Sequence, residues 1–493
     1  MLIEKQNKIE KKFYIWLFII AFTVIFTSNY NPVNLRRMHV DSSVYVTVSQ
    51  GIIRGQLPYR DFVDNKGPFT YLLSVPGLFL GGFTGIWVTE LIFMYVSVLY
   101  AYKTALFFGD KYKALLGTIF SFVALLVFFY LYLGTEEYSF PFLMISFYLF
   151  TKFYFSPKHD INFGGLIVLG VCFSCAVLIR LNMFPLWAGF CTVIFIDEIL
   201  KRRFIRLCKY ISGFCLGIII IFIPVFLYLK LNGIMDDFLN QVIFAGTARG
   251  FSENNLKETV KNFYIIINKN YSFIPLFIGL IFMILKFKQM YFNFYVGYTF
   301  SYFLMVLFLS FSGSGSYYNM VLIPFFVPAL VFLIDKIYSS FSCLKYQKVI
   351  CILFLCFVFS EGIANYLYDF PKIFFDNSGS QFIKAGKIID ENTKPGDKII
   401  SLGFNGYIYP FTQRDNASKY IYQGSGVNYI PGAKDEFISD ITSNKPVIIA
   451  LFIADDGGIG QIMYDWHMPI LNMIESEYRL LSDKNGFKLF IRE

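Results

Sequence analysis

Residues 38–68 read MHVDSSVYVTVSQGIIRGQLPYRDFVDNKGP, and in that one stretch Asp41, Asp61 and Asp64 are interleaved with Arg54, Arg60 and Lys66. A carboxylate can take the proton of an attacking hydroxyl, and cations can stabilise the negative charge on a departing phosphate. The mixture therefore suits a reaction in which a hydroxyl is deprotonated while a phosphate leaves. On chemistry alone a plainer reading weighs as much. Asp is a favoured N-cap, so Asp41 would simply open the helix that follows, and Arg60 with Asp61, or Asp64 with Lys66, would form loop ion pairs of little value.

Further along the chain, Thr135-Glu136-Glu137-Tyr138 sets two carboxylates at the start of an apolar run, where acids also suit a helix N-terminus. Arg180 sits between two apolar runs and is costly unless it reaches water. Arg249 falls in GTARGFSEN, and Tyr317 and Tyr318 precede a run containing Pro324. Asp455-Asp456-Gly457-Gly458 reads as a turn after a strand. The three histidines, 39, 159 and 467, are far apart and match no metal motif. No metal site is indicated, and the sequence names no cofactor. His39 stands two residues before Asp41, close enough to assist it.

The elements that must position these groups belong to a membrane. Hydrophobic residues make up 56% of the 493, aromatics 20% and charged residues 16%, a balance foreign to soluble domains. Runs of the length a bilayer needs are expected at 13–28, 83–102, 114–133, 139–155, 161–178, 183–199, 207–228, 271–285, 291–311, 319–334 and 349–366, about eleven spans in all. The segment 69–80 is short, contains Pro76 and ends at Gly81-Gly82; it reads as an interfacial or re-entrant helix. Lys5, Lys8, Lys11 and Lys12 precede the first run, which lacks a convincing cleavage site and is expected to stay as a span. With the amino terminus inside, most basic residues, including Lys103, Lys111, Lys113 and the cluster Lys201 to Lys209, fall on cytoplasmic breaks. The long polar loops, 29–68 and 229–270, then face outward. The net charge of +9 is explained by this orientation, and a nucleic-acid partner is rejected. The eight cysteines lie in or beside predicted spans, so no disulfide framework or zinc cluster is expected, and Cys172 and Cys175 read as packing.

After Pro371 the pattern changes to alternating helix and strand signals. Helices are expected over SQFIKAGKIIDEN, near Lys434 to Thr442 and near Gln461 to Ile474, with strands at DKIISLG, PVIIALFI, YRLLSD and FKLFIRE. The expected organisation is a transmembrane domain over 1–368 and a small α/β domain over 369–493 outside the membrane.

An acidic residue opening a D-x-x-x-Y helix, followed by G-x-x-P-Y-R-D-F-x-D-x-K-x-P, resembles the GT-C membrane glycosyltransferases, and among them the dolichyl-phosphate-mannose protein mannosyltransferase and aminoarabinose transferase group. The resemblance implies transfer of a sugar from a polyprenyl-phosphate carrier to a hydroxyl acceptor on the outer face of the plasma membrane. It implies Asp41 as catalytic base, Lys66 facing the donor phosphate, and Tyr45 as the aromatic of the same helix. By location it also implies Arg249 as a contact to the lipid phosphate, with Arg60 as a second candidate, and an acidic role for Glu136 or Glu137. Asp61, Asp64 and Arg180 are further candidates. Tyr317 and Tyr318 with Pro324 are similar to the H-Y-x-x-x-x-x-P element, with Tyr317 in place of His. Two departures stand out: Ser42 follows Asp41 where an acid is common, and Lys66-Gly67-Pro68 replaces Lys-Pro-Pro. The missing acid leaves a metal at Asp41 without its usual pair.

The expected function is thus an inverting, polyprenyl-phosphate-dependent glycosyltransferase for a cell-envelope glycan, lipid or protein. The rival from another class is a transporter or lipid flippase. That class places polar groups near the bilayer midplane and shows internal repeats, whereas no repeat is evident here and the charges cluster outside the spans.

Overall fold

The computed structural model describes residues 9–493 except 129–133, 158, 247–255, 269–270, 286–290, 314, 342–345, 404–405, 425–426, 428–429, 453–464 and 485. In chain order the main helices are α1 (Lys11–Phe26), α2 (Val40–Ile53), α3 (Phe69–Leu72), α4 (Val75–Ala105), α5 (Lys111–Phe128), α6 (Thr135–Phe155), α7 (Phe163–Ile179), α8 (Pro185–Leu200) and α9 (Phe204–Leu231). There follow α10 (Leu256–Asn268), α11 (Phe273–Leu285), α12 (Phe292–Ser310), α13 (Ile323–Ser340), α14 (Gln347–Val358) and α15 (Ser360–Asp369). The C-terminal part adds α16 (Ser378–Glu391), α17 (Ala433–Asn444) and α18 (Met468–Glu477).

A helix coincides with each of the eleven expected spans. Among the described residues five helical stretches are long and apolar enough to cross a membrane alone, and seven if the bent pairs α10–α11 and α14–α15 each count once. Eleven crossings therefore remain an expectation that length and composition do not reach. The helix starts follow local chemistry. Asn162 caps α7 by accepting from the Gly165 amide, Asp110 accepts from the Tyr112 and Lys113 amides at the head of α5, and Pro185 opens α8, each satisfying or removing a donor the first turn leaves without a partner.

The segment expected to be re-entrant is a hairpin. Residues 75–80 are helical, then Gly81 and Gly82 break the run, Gly82 at φ +58 and ψ −137, a region open essentially to glycine alone. Beyond the turn the chain runs back with Gly77 against Gly85. A Cβ on either would overlap the other's backbone, so two small residues let the arms close.

The C-terminal helices pack on a five-stranded mixed sheet built from β1 (Lys398–Leu402), β2 (Asp415–Asn416), β3 (Ile448–Phe452), β4 (Tyr478–Lys484) and β5 (Phe487–Arg492), in the order β2-β1-β3-β5-β4. β1 is parallel to β2 and β3, and β5 is antiparallel to β3 and β4. The expected helices and strands are present, with β2 in addition. The helix expected near Gln461 begins at Met468 with a proline in its first turn, where a fixed φ and a missing amide are tolerated.

One apolar core joins α1 to the helices α4–α8 and α12–α14. A second is shared between the two long loops and the C-terminal domain: Val44, Tyr45 and Val48 of α2, Tyr59 and Phe62, and Ile234 and Val242 of the second loop pack with Phe382, Ile399, Tyr407 and Phe487. The loop 29–68 is therefore built into the C-terminal domain rather than lying free.

Candidate active site at the head of the first outer helix

Asp41 does not cap α2. His39 does, its Nδ1 accepting the Asp41 amide at 3.3 Å, and Asp41 stands in the first turn. There a carboxylate is favoured by the helix dipole, and its oxygens are not spent on the cap. The rest of the turn is anchored inward by Ser43, whose hydroxyl donates to the Val40 carbonyl at 2.6 Å. His39 is pushed below its ordinary value of 6.5 by burial, which outweighs the attraction of Asp41 and is reinforced by Arg37.

The loop 57–68 delivers the next group. The half-buried Asp64 accepts from the Tyr71 hydroxyl at 2.8 Å and from the Asn65 amide at 2.7 Å. Burial raises its pKa against the pull of Lys66, and the charge of Asp41 adds to the rise, which places the two carboxylates within electrostatic reach. The Lys66 ammonium donates to the Asn65 side chain at 2.7 Å and lies 6.0 Å from the Tyr45 ring centroid. The loop is held from outside by Gln241, which donates to the Tyr59 carbonyl at 2.6 Å and accepts from the Asp64 amide at 3.2 Å.

Gly67 explains the departure from Lys-Pro-Pro. Its amide donates to the Ile179 carbonyl at 3.2 Å, which a proline cannot do, and a Cβ there would overlap the Leu178 carbonyl. The loop is thereby pinned to the end of α7, beside Arg180. The Arg180 guanidinium pairs with Glu136 and lies 4.5 Å from the Tyr318 ring centroid. The rings of Tyr317 and Tyr318 are tilted at 59° to one another with centroids 4.3 Å apart, and the charge of Asp41 reaches both. Arg180 therefore meets its cost by a partly buried ion pair and an aromatic face.

Asp41, Tyr45, Asp64, Lys66, Glu136, Arg180, Tyr317 and Tyr318 are thus brought together. Arg60 and Asp61 lie apart: they form an exposed pair at 3.0 Å, and the other acid acting on Arg60 is Asp237. Glu137 is buried and takes no part in the Arg180 pair; the carboxylate that acts on it is Glu90. Arg249 lies outside the described residues, as does the loop at Asp455 to Gly458.

Two groups escaped the sequence reading. Arg37 lies over the rings of Tyr407 and Phe452 at 5.8 and 5.6 Å, and Tyr407 feels both Arg37 and Asp41, so the C-terminal domain forms a wall beside Asp41. No local pattern announces this, because the pairing spans more than 350 positions. Glu90 of α4 is buried and accepts from Ser28 at 2.6 Å. Its signal was legible: an ionisable residue inside an apolar run is a functional candidate by default. A recess lined by Phe108, Gly279, Phe282, Tyr295, Tyr298 and Pro328 carries no charged side chain and sits on other helices.

ArnT from Cupriavidus metallidurans bound to undecaprenyl phosphate superposes with a TM-score of 0.62 at 12% identity, covering 98% of both chains. The oligosaccharyltransferase AglB from Archaeoglobus fulgidus, in complex with an inhibitory peptide and a dolichol-phosphate, gives 0.51 at 11% identity over 98% of this chain and 74% of its own. The chain has the GT-C fold of these membrane proteins. No curated protein matches by sequence. A family profile described as "Putative competence-induced protein Ccs4 N-terminal domain" matches residues 4–349.

Proposed function

The chain belongs to the competence-induced Ccs4 N-terminal domain family, and from its GT-C fold and the site around Asp41 we propose that it is an inverting glycosyltransferase moving a sugar from a polyprenyl-phosphate carrier to a hydroxyl acceptor outside the membrane. The observation that carries this reading is the convergence of one carboxylate, Asp41, with Lys66 and the Arg180–Tyr318 pair, in a fold whose solved counterpart holds undecaprenyl phosphate.

In this reading the Asp41 carboxylate takes the acceptor's proton as the acceptor oxygen attacks the anomeric carbon. The carbon–oxygen bond to the phosphate breaks, and its electron pair leaves on the phosphate oxygen. Lys66 stabilises that charge, with Arg249 as a further phosphate contact and Arg180 beside Tyr318 adding positive potential; Arg60, paired with Asp61 away from Asp41, takes no part. One displacement at the anomeric carbon inverts its configuration. Tyr45 fixes the height of Lys66, and Asp64 tethers its loop.

The test is incubation of the purified chain with a panel of polyprenyl-phosphate sugars, measuring acceptor-dependent release of polyprenyl phosphate. Release that disappears in Asp41→Asn supports the proposal. Movement of the lipid between leaflets without release, or near wild-type turnover by Asp41→Asn, overturns it.

A further inference from the structure

The turn from α8 into α9 runs through Lys201, Arg202 and Arg203, and its backbone closes in a way that normally calls for glycine. The Arg202 amide donates to the Ile199 carbonyl and the Arg203 amide to the Glu198 carbonyl, both at 2.9 Å. That pair of bonds ends a helix on one left-handed residue, and glycine is the usual occupant because a Cβ is crowded there. Here the occupant is Arg202, at φ +53. The next residue is often apolar and packs back on the last turn. Here it is Arg203, whose guanidinium lies 4.0 Å from Glu198.

Nothing inside the protein accounts for an arginine in so strained a place. The acids around the turn are matched one to one by other bases. Glu198, fully buried, is gripped through both oxygens by Arg206. Asp197 accepts from Lys201 at 2.7 Å and from the Asn293 side chain at 2.8 Å, and Asp160 accepts from Lys209 and from the Tyr210 hydroxyl, each at 2.9 Å. Among the described residues the Arg202 side chain makes no ion pair or hydrogen bond, and Arg203 has only its long contact to an acid already paired. Two exposed guanidinium groups are left over. Strain of this kind persists where a side chain has a task.

The surroundings indicate which task. Leu200, Phe204 and Ile205 flank the turn and are 77%, 57% and 91% exposed. They lead into α9, which is long and apolar enough to cross a membrane. At its other end Leu229 packs in the core shared with the C-terminal domain, so 28 residues of helix, at about 1.5 Å each, set the turn at the membrane face opposite Asp41. Guanidinium groups ringed by bare apolar side chains suit the headgroup level of a bilayer. There a phosphate takes the planar fork of an arginine, and acyl chains cover the apolar neighbours.

We propose that Arg202 and Arg203 bind the phosphate of an anionic phospholipid in the leaflet away from Asp41, with its acyl chains lying on Leu200, Phe204 and Ile205. Net charge sets the preference: an acidic lipid neutralises the two surplus cations, whereas a choline headgroup brings its own cation to the same place. The bound lipid fixes the depth of the α8–α9 pair. The site is separate from Asp41 and does not depend on the transferase reading.

The test needs no sugar donor. The full chain is purified in detergent, stripped of lipid, and titrated with phosphatidylglycerol, cardiolipin or phosphatidylcholine, and bound lipid is counted by native mass spectrometry. Both acidic lipids are expected to be retained in preference to phosphatidylcholine. Arg202→Gly combined with Arg203→Gln should weaken that retention by about thirtyfold, roughly fivefold for each charge at a lipid surface. Lys201→Gln, which removes a charge already paired with Asp197, should change it little. Arg202→Gly alone separates binding from folding. Glycine suits the turn, so the thermal midpoint without lipid should hold or rise, while added phosphatidylglycerol should raise it less than in wild type. Equal retention of acidic lipids and phosphatidylcholine overturns the proposal. So does an acidic preference that survives the double substitution, as it would if the arginines served only to orient the helices during insertion. Stronger retention of polyprenyl phosphate, likewise lost in the double variant, overturns it too.

Discussion

Asp41 owes its availability to its neighbour. His39 takes over the capping role that the sequence offered to Asp41, so Asp41→Asn should leave the helix and its docking intact. Transfer should fall by about 10²–10⁴-fold, the worth of a positioned base, while polyprenyl-phosphate binding, read by native mass spectrometry, stays near wild type. His39 itself carries a pH dependence. Only the neutral imidazole accepts the Asp41 amide, and burial holds it below its ordinary 6.5. Between that value and its depressed one the unfolded chain binds a proton the folded chain refuses. Stability therefore falls as pH drops through this window and levels off below it. His39→Asn keeps a capping oxygen without titrating, and its thermal midpoint should lose that acid slope; an unchanged slope would place the sensitivity elsewhere.

Among the elements, the loop from Leu57 to Pro68 matters most, since it is anchored at one end on α7 and at the other on Gln241. The anchoring predicts that Gly67→Pro, although it restores the more familiar Lys-Pro-Pro, damages this chain. It removes one of the two hydrogen bonds the Ile179 carbonyl accepts, the other coming from the Thr70 hydroxyl at 3.1 Å, at a cost of about 0.5–1.5 kcal/mol, and drives Lys66 off its seat. A lowered thermal midpoint together with weaker polyprenyl-phosphate binding is the expected result, whereas Gly55→Pro, at a φ of +87 in open space, would distort only the turn before the loop. Local chemistry made the helix starts, the glycine hinge at 81–82 and most of the C-terminal strands legible, because each is written in neighbouring residues. The fit of Gly67 against Leu178 was not, since it depends on a backbone more than a hundred positions away.

For the molecule as a whole, the sequence exposed the partition into apolar bundle and α/β tail but not the core they share. Val44 and Tyr45 offered no sign that Phe382 and Tyr407 would cover them; an alternating apolar pattern records that a face is buried, not by what. The shared core predicts that cutting the chain after residue 376 does more than remove a tail. Limited proteolysis should then cleave within residues 40–66, which resist it in the full chain, and intact loops after truncation would show that the outer helix stands alone. The position of β5 extends this to biosynthesis. That strand, the furthest along the chain, lies inside the sheet between β3 and β4, so residues 487–492 must be made before the sheet closes and Asp41 gains its covering wall. A nonsense codon just upstream would leave an inserted bundle with no working chamber, a ready substrate for membrane proteases rather than a weakened enzyme.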